Sequence, residues 1–220
     1  MLKKYVVPAF VAAALAGPAF AQDAAPAAAS TDSSFVGPRV EIFGGYEQNQ
    51  SRFRGTPGVP VVGKRNKGSG TAGVELGYDF PIGDRIVAGP LASYSLNTTS
   101  GSSCVGSTTA CLKPQMDWSA GARVGAKMGD KALVYAKGAY VDTQIGTRQL
   151  IAGSTIGGHD WRSGWRAGVG AEYAVTPHAY VKAEYDYTQT NRDDATQDGL
   201  PGTSYRLKRQ AALAGFGIRF

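Results

Sequence analysis

Apolar and polar residues alternate with a period of two in eight segments of the chain after Pro38. The clearest segment sets Met116, Trp118, Ala120, Ala122, Val124 and Ala126 against Asp117, Ser119, Arg123 and Lys127. The other segments lie at about 39–47, 72–80, 86–96, 134–140, 161–173, 181–187 and 209–220. Since successive side chains of a β-strand point to opposite faces, the pattern predicts eight strands, each with one apolar and one polar face.

The links between these segments alternate strictly in length. Short links lie at 81–84, 128–131 and 174–178, and long links lie at 48–69, 97–115, 143–159 and 191–204. Tight periplasmic turns that alternate with extended outer loops are typical of a bacterial outer-membrane barrel. Most aromatic residues lie on the apolar faces, many near segment ends, as aromatic girdles require. The predicted fold is all-β: an eight-stranded antiparallel up-and-down transmembrane β-barrel.

A soluble β-sandwich also shows period-two alternation and is the alternative fold. Its core would need more large aliphatic residues, and its opposing face would carry fewer charges. Pro90 lies inside the third segment, where it lacks the N–H that a strand ladder uses. We therefore expect a β-bulge at Pro90.

The N-terminal residues have the layout of a secretory signal peptide. Lys3 and Lys4 precede an apolar run that ends at a small-residue cleavage site, residues 19–21. We expect residues 1–21 to be a cleaved signal peptide, residues 22–35 a flexible periplasmic leader and residues 36–220 the barrel. No later stretch has the roughly 18 consecutive apolar residues that a transmembrane helix needs. The expected location is the cell outer membrane.

Three parts of the sequence resemble a known family of proteins. They are Gly73–Phe80, the pair Trp165–Tyr173 and Tyr180–Tyr187, and Gly215–Phe220. They resemble the second strand, the sixth and seventh strands, and the closing strand of the small outer-membrane β-barrel proteins of alphaproteobacteria. That family comprises porin-family, immunogenic or opacity-like surface proteins with an OmpA-like barrel. The resemblance implies a barrel and surface exposure, and it supplies no catalytic residues.

The polar faces of the predicted strands carry many charges that would share one narrow lumen. They are Glu41, Glu75, Asp117, Arg123, Lys127, Lys137, Arg162, Arg166, Glu172, Lys182, Glu184, Asp186, Arg209 and Arg219. Side chains just fill the interior of an eight-stranded barrel, so opposite charges must pair there to limit the cost of desolvation. We expect a plug of ion pairs that closes the barrel. A narrow ion-conducting path is the alternative.

The predicted loops carry two further candidate features. Cys104 and Cys111 enclose a polar loop tip in an exported chain, which favours a disulfide over two free thiols or a metal pair. The first long loop carries Arg52, Arg54, Lys64, Arg65 and Lys67 without an acidic residue. Such a basic surface loop would contact lipopolysaccharide phosphates or, alternatively, an anionic host or extracellular polymer.

Composition argues against most catalytic and nucleic-acid functions. The two histidines fall in different predicted regions, His178 at a turn and His159 beside Asp160 and Ser163, and neither has a metal-ligand spacing. An outer-membrane lipid-modifying enzyme that uses His159 is therefore a remote alternative. Removing Lys3 and Lys4 lowers the net charge from +6 to +4, which is too small for a nucleic-acid-binding surface. We expect no cofactor and no catalytic or metal site.

The expected function is structural and surface-exposed, with the outer loops as interaction sites. A small porin for ions or solutes is the alternative function. Expected partners are outer-membrane lipid, lipopolysaccharide, the outer-membrane assembly machinery and an extracellular or host ligand. Phe220 ends the chain on the apolar face of the eighth strand, in phase with Ile218 and Phe216. An unpaired strand edge can be bound by strand addition, so we expect Phe220 to act as an assembly signal.

Overall fold

The alternating segments of the sequence form long β-strands. A computed structural model of the chain describes the backbone at 35–54, 63–97, 103–105, 110–151, 154–191, 193–194 and 204–220. Side chains are described at 35–50, 68–97, 116–144, 146, 161–191 and 207–220. Within these residues, no helix is long and apolar enough to cross a membrane.

The eight long strands are numbered in chain order. They are β1 (Gly37–Arg54), β2 (Gly63–Ile82), β3 (Ile86–Asn97), β4 (Ala110–Met128), β5 (Ala132–Ile151), β6 (Ser154–Ala174), β7 (Ala179–Thr190) and β8 (Ser204–Arg219). Each pairs with the next in antiparallel register, and β8 pairs with β1 from Arg39 opposite Arg219 to Arg54 opposite Ser204. Two short segments, Ser103–Val105 and Asp193–Asp194, pair with β4 and β8. The strands thus close into a barrel, which confirms the predicted fold.

The two faces of each strand differ as the alternation predicts. On β2, Leu76 is 51 % exposed on the outside whereas the adjacent Glu75 is 2 % exposed on the inside. The outer surface is a band of aliphatic and aromatic side chains, among them Ile42, Tyr78, Val124, Tyr173 and Phe216. An outward-facing apolar band with a polar interior is the arrangement that lipid on the outside requires.

Glycines form two of the three short connections. Gly83 and Gly129 have φ angles of +66° and +74°, which a residue with a side chain rarely adopts. They lie in the turns between β2 and β3 and between β4 and β5. The third turn, between β6 and β7, is held by the Thr176 hydroxyl, which accepts hydrogen bonds from the backbone N–H groups of His178 and Ala179. The three predicted short links are thereby confirmed.

The predicted long links are wrong in extent because the strands continue into them. Ladder pairing of β5 with β6 runs to Ile151 opposite Ser154, inside the predicted 143–159 link. Likewise β1 continues to Arg54, β2 begins at Gly63 and β4 begins at Ala110. Backbone hydrogen bonds do not need an apolar row, so a ladder can continue above the lipid where both faces are polar. The alternation used to find the strands ends at the lipid boundary, earlier than the strands themselves.

The proline bulge is at a different residue from the one predicted. The register of β3 with β4 runs without a shift from Ile86 to Leu96, with Pro90 opposite Ala122. The ladder of β3 with β2 omits Pro90 and Gly89 and then resumes in the same register. A register shift instead lies between Pro114 and Met116 in the pairing of β4 with β5. Pro90 therefore interrupts one ladder locally without adding a residue to it.

Phe35 belongs to the barrel and not to the leader, contrary to the prediction. It is 1 % exposed and packs with Val87 of β3 and Leu133 of β5, with Val36 and Ala174 at the edge. These residues lie beside the short turns, so they form an apolar cap over that end of the lumen. The predicted signal peptide and the rest of the predicted leader, residues 22–34, lie outside the described residues.

The backbones of β4 and β5 approach each other closely at Gly121, so a side chain there should destabilise the barrel. A Cβ at Gly121 would fall on the carbonyl oxygen of Gly138 and lie 2.5 Å from the Cα of Ala139, whereas a Cβ at Gly138 would have nothing within 4 Å. Gly121→Ala should lower the free energy of unfolding by about 1–3 kcal/mol, the usual cost of overpacking. Gly138→Ala on the neighbouring strand is the matched control. Urea unfolding in phospholipid vesicles measures both, and equal midpoints would contradict the account.

Candidate functional site: the charged barrel interior

Three clusters of buried charged side chains occupy the lumen. The lower cluster, nearest the short turns, contains Arg39, Asp79, Arg123, Glu172 and Arg219. The central cluster contains Glu41, Glu75, Lys137, Lys182 and Glu184. The upper cluster contains Glu47, Asp117, Arg166, Asp186 and Arg209. All of these residues are inward members of the alternating rows, so the phase of the strands places them together.

Arg123 is the centre of the lower cluster. Its Nε and Nη2 donate to the two oxygens of Asp79 at 2.9 and 2.6 Å, and its Nη1 donates to Glu172 at 2.5 Å. Arg219 Nη2 donates to the other Glu172 oxygen at 2.6 Å, and its guanidinium lies 4.4 Å from the ring centre of Tyr180. Planar guanidinium groups bind carboxylates through two parallel hydrogen bonds, so this cluster is rigid in geometry as well as paired in charge.

The central cluster contains two lysines among three carboxylates. Lys137 Nζ lies 2.7 Å from Glu184 and 3.4 Å from Glu75, and Lys182 pairs with Glu41 and Glu184. Arg39 joins this cluster to the lower one, since it donates to Glu41 at 3.0 Å and to Glu75 at 2.7 Å. The central cluster has one more carboxylate than it has lysines, and Arg39 of the lower cluster supplies the additional positive charge.

Two buried tyrosines complete the hydrogen bonding of the central carboxylates. The Tyr135 hydroxyl donates to Glu184 at 2.6 Å, and the Tyr180 hydroxyl donates to Glu41 at 2.7 Å. Removing a carboxylate from water is costly unless its oxygens accept hydrogen bonds. These phenols therefore help to make a lumen full of charge compatible with a stable fold.

The upper cluster is centred on Asp117. Arg166 Nη2 and Arg209 Nη2 contact its two oxygens at 2.8 and 2.7 Å, and Ser95 donates to it at 2.8 Å. Lys137 Nζ, 3.3 Å from Asp186, connects this cluster to the central one. Ion pairs therefore link all three clusters into one network along the lumen.

The upper part of the lumen also contains a small cavity. It has a volume of about 10 Å³, and its lining includes Phe43, Glu47, Arg166, Asp186 and Arg209. Asp186 Oδ1 and Arg209 Nε have no hydrogen-bond partner in the described structure. A polar cavity of this size accommodates about one water molecule. The cavity is therefore far too small for a solute.

The structure places most of the predicted lumen charges inside the barrel. Only Lys127 and Arg162 of that set are half-buried; Lys127 lies at the end of β4, and Arg162 lies within the upper half of β6. Sequence reasoning omitted Arg39, Glu47 and Asp79, although they occupy inward positions in the same alternating rows. Their phase was the signal that could have identified them. Tyr135 and Tyr180 were also missed, although Tyr135 is in phase with Lys137 and Tyr180 is in phase with Lys182.

The residues of the predicted basic loop lie in two strands, so the loop prediction is wrong. Arg52 and Arg54 lie in β1, and Lys64, Arg65 and Lys67 lie in β2. Arg52 pairs with Lys64, and Ser51 pairs with Arg65. These residues therefore belong to the wall of the barrel above the lipid, and not to a loop, because the ladder continues beyond the apolar band.

The cysteines and histidines occupy separate places. Cys104 lies directly opposite Cys111 in the strand register, while their side chains lie outside the described residues, so the disulfide stays a prediction. His178 is exposed in the turn between β6 and β7, and His159 lies opposite Gly146 near the other end of β6. In the described part of the chain, no group of three or more histidine, cysteine, aspartate or glutamate residues could hold a metal ion.

The last residue lies at the seam between β8 and β1. Phe220 is 74 % exposed on the outer face, and its backbone N–H donates to the Pro38 carbonyl at 3.1 Å. Ile218 and Phe216 are exposed on the same face, in the predicted phase. The side chain is therefore available to lipid or to another protein, and it makes little contribution to the barrel interior.

Comparison with known proteins gives the family. Residues 10–220 match the model of the outer membrane protein beta-barrel domain. The chain belongs to this family. It is an outer-membrane β-barrel protein.

Similar proteins occur in Brucella, Yersinia and Pseudomonas. The 31 kDa outer-membrane immunogenic protein of Brucella melitensis is 26% identical over 211 residues, which cover 86% of this chain and 88% of the relative. Among solved structures, the attachment invasion locus protein Ail of Yersinia pestis has 15% identity and a TM-score of 0.48, covering 84% of this chain and 99% of Ail. OprG of Pseudomonas aeruginosa has 13% identity and a TM-score of 0.48, covering 84% of this chain and 97% of OprG.

Removing one buried cation from the lumen should strongly destabilise the barrel. Arg123→Gln leaves Asp79 and Glu172 with fewer partners in a buried site, so the free energy of unfolding should fall by about 3–5 kcal/mol. Arg85→Gln, at an exposed turn, removes the same charge and should change it by less than about 0.5 kcal/mol. Urea unfolding of both variants in vesicles is the measurement, and equal losses would show that the buried pairing is unimportant.

Phe220 should matter for assembly more than for stability. As one interfacial aromatic it contributes on the order of 1–3 kcal/mol, too little to abolish the barrel. Deleting Phe220 should lower the amount inserted in cells severalfold, while the purified variant refolds in detergent with a near-native heat-dependent gel shift. Phe216→Ala is the control for losing an outer aromatic within the strand. Normal insertion of the deletion variant, or its failure to refold, would count against this division.

Proposed function

We propose that this protein is a closed structural barrel of the outer membrane, and that it presents its upper strands and connecting segments at the cell surface. The observation that carries the proposal is the continuous ion-pair network of the lumen. Arg39 joins the lower cluster to the central one, and Lys137 joins the central cluster to the upper one. Phe35 covers the lower end of this network.

The energetics of the plug favour closure over conduction. An ion that entered the lumen would have to displace side chains from partners such as Asp79 and Arg123, which contact each other at 2.6 Å. Breaking a buried pair leaves an uncompensated charge and costs about 3–5 kcal/mol. Several such pairs lie in series along the lumen. A solute would meet all of them, so the small-porin alternative is disfavoured.

The apolar cap adds a second barrier at the lower end. Phe35, Val87 and Leu133 are each at most 1 % exposed, and none of them offers an oxygen or nitrogen side-chain atom to a passing ion. Arg219 lies 5.3 Å from the centre of the Phe35 ring, so the cap rests directly on the lower charge cluster. The cap therefore supports a lumen that is sealed and not merely narrow.

The surface role is supported by the length of the strands above the lipid band. On β1 the outward residues after Tyr46 are Gln48 and Gln50, and the ladder continues to Arg54. The polar upper wall therefore extends into the aqueous layer outside the cell. The name of the Brucella relative describes an immunogenic protein, which fits exposure of this region. We propose no catalytic role, since the acids of the lumen are buried in ion pairs.

The proposal predicts an electrically silent barrel. Purified protein inserted in planar lipid bilayers should give no steady unitary conductance at about 100 mV, because the lumen lacks a continuous aqueous path. A large porin reconstituted in the same way controls for insertion, and antibody to the upper strands confirms that the test protein is present. Reproducible steady conductance steps from the wild-type protein would overturn the closed-barrel function in favour of a porin.

A further inference from the structure

The closing seam of the barrel, where β8 pairs with β1, has a pair of like charges at its lower end. Arg39 and Arg219 lie directly opposite each other in the register, and both are buried on the lumenal side. Like charges that face each other across a strand pair repel. Asp79 reduces this repulsion, since its Oδ2 lies 3.5 Å from Arg39 Nε and 3.4 Å from Arg219 Nη2. Strand ends also open more readily than strand centres, so this end of the seam needs support beyond its backbone ladder.

Phe35, two residues before β1, lies over Arg219 in the lumen. The Phe35 side chain is buried, and the centre of its ring lies 5.3 Å from the Arg219 guanidinium carbon. The Tyr180 ring centre lies 4.4 Å from the same carbon, and Glu172 accepts a hydrogen bond from Arg219 at 2.6 Å. Guanidinium groups are attracted to aromatic faces, more strongly where water is excluded. Two rings and a carboxylate therefore hold Arg219 in one position.

The socket that receives the Phe35 ring is made by strands from several sides of the barrel. Val87 of β3 and Leu133 of β5 pack against Phe35, and Ala174 of β6 lies at the edge of this cluster. Arg219 of β8 completes the socket. Because Phe35 precedes β1, Arg219 reaches it only when β8 pairs with β1. The complete socket therefore exists only in the closed barrel.

The backbone conformation of Gly37 directs Phe35 into the lumen. Gly37 has a φ angle of +108°, and a Cβ there would lie 2.6 Å from the backbone oxygen of Phe220. A side chain at this position is therefore disfavoured both by the backbone conformation and by the close contact. The Phe220 N–H donates to the Pro38 carbonyl at 3.1 Å. The start of β1 thus lies against the residue that follows β8.

We propose that residues 35–37 form a strap that docks after β8 has joined β1 and locks this seam from inside the lumen. The strap covers Arg219, which is bonded to Glu172 of β6. The lower end of β8 can therefore leave β1 only after the Phe35 ring has left its socket. A passive cap would cover the lumen and leave the opening rate of the seam unchanged. The lock is separate from the proposed function, because it holds whether or not the lumen conducts.

Folding and unfolding rates distinguish a strap from an ordinary part of the barrel. Contacts that form after the transition state affect the unfolding rate and not the folding rate. Phe35→Ala should therefore accelerate unfolding about a hundredfold or more, the usual scale for losing a buried ring, and leave refolding within about twofold of the wild type. Phe43→Ala is the matched control, since Phe43 is also buried in the lumen but packs with Ala211 and Leu213 of β8. These contacts form as β8 joins β1, so their loss should slow refolding.

Amide hydrogen exchange at the seam gives a second, structural measurement. The N–H groups of Arg219 and Phe220 donate to backbone carbonyls of the turn before β7 and of β1, at 2.8 and 3.1 Å. These two amides should exchange about tenfold or more faster in Phe35→Ala than in the wild type, because the lower end of the seam opens more often. In Phe43→Ala they should keep their wild-type exchange rates.

A second pair of variants tests the strap through its backbone. Gly37→Ala should reproduce the faster unfolding and faster Phe220 exchange of Phe35→Ala. Gly83→Ala is its control, since Gly83 also has a positive φ angle but a Cβ there would have nothing within 4 Å. Failure of Phe35→Ala to refold, or refolding slowed by as much as unfolding is accelerated, would overturn the proposal by placing Phe35 in the closing step. Unchanged unfolding and exchange rates would also overturn it, by showing that Phe35 is a passive cap.

Discussion

Charges inside an eight-stranded barrel must be paired, and the rest of the structure depends on this constraint. Lipid on the outside forces every second residue of each strand to be apolar, so the polar residues of the alternation turn into a lumen with almost no free water. An unpaired ion there would be prohibitively costly. Asp79, Asp117 and Glu184 therefore each contact at least two cations, and phenols or hydroxyls satisfy further carboxylate oxygens.

This pairing also ties together strands that are remote in sequence. Glu172 of β6 contacts Arg123 of β4 and Arg219 of β8, and Glu41 of β1 contacts Lys182 of β7. The contacts of Glu41 with Lys182 and of Asp79 with Arg219 form only when β8 closes onto β1, so the network and the closed barrel stabilise each other. The same contacts that limit the cost of burying charge also fill the lumen. Closure to solutes thus follows from the requirement for pairing, with Phe35 completing the seal at the lower end.

Much of this arrangement could be predicted from the sequence because period-two alternation carries the phase of each strand. The phase assigned Leu76 outward and Glu75 inward without any knowledge of partners. Partner choice within the lumen, as between Glu41 and Lys182, was not predictable, because it depends on barrel closure. Strand ends were missed where both faces are polar, as at Gln48 to Gln50. Phe35 was missed because an apolar residue that follows a small polar stretch shows no periodicity. The register shift beside Pro114 was missed because it is a property of the pairing of β4 with β5, and the alternation within β4 does not show it.

The accessibility of the lumenal lysines tests the central claim most directly. Lys137 and Lys182 are buried in the central cluster, whereas Lys131 is exposed in the turn between β4 and β5. Folded protein is treated with a small, water-soluble amine-acylating reagent, and each lysine is quantified by mass spectrometry, with unfolded protein as the reference. A sealed, paired lumen predicts modification of Lys131 and protection of Lys137 and Lys182 until the barrel unfolds. Modification of Lys137 or Lys182 in folded protein at the rate of Lys131 would contradict the account.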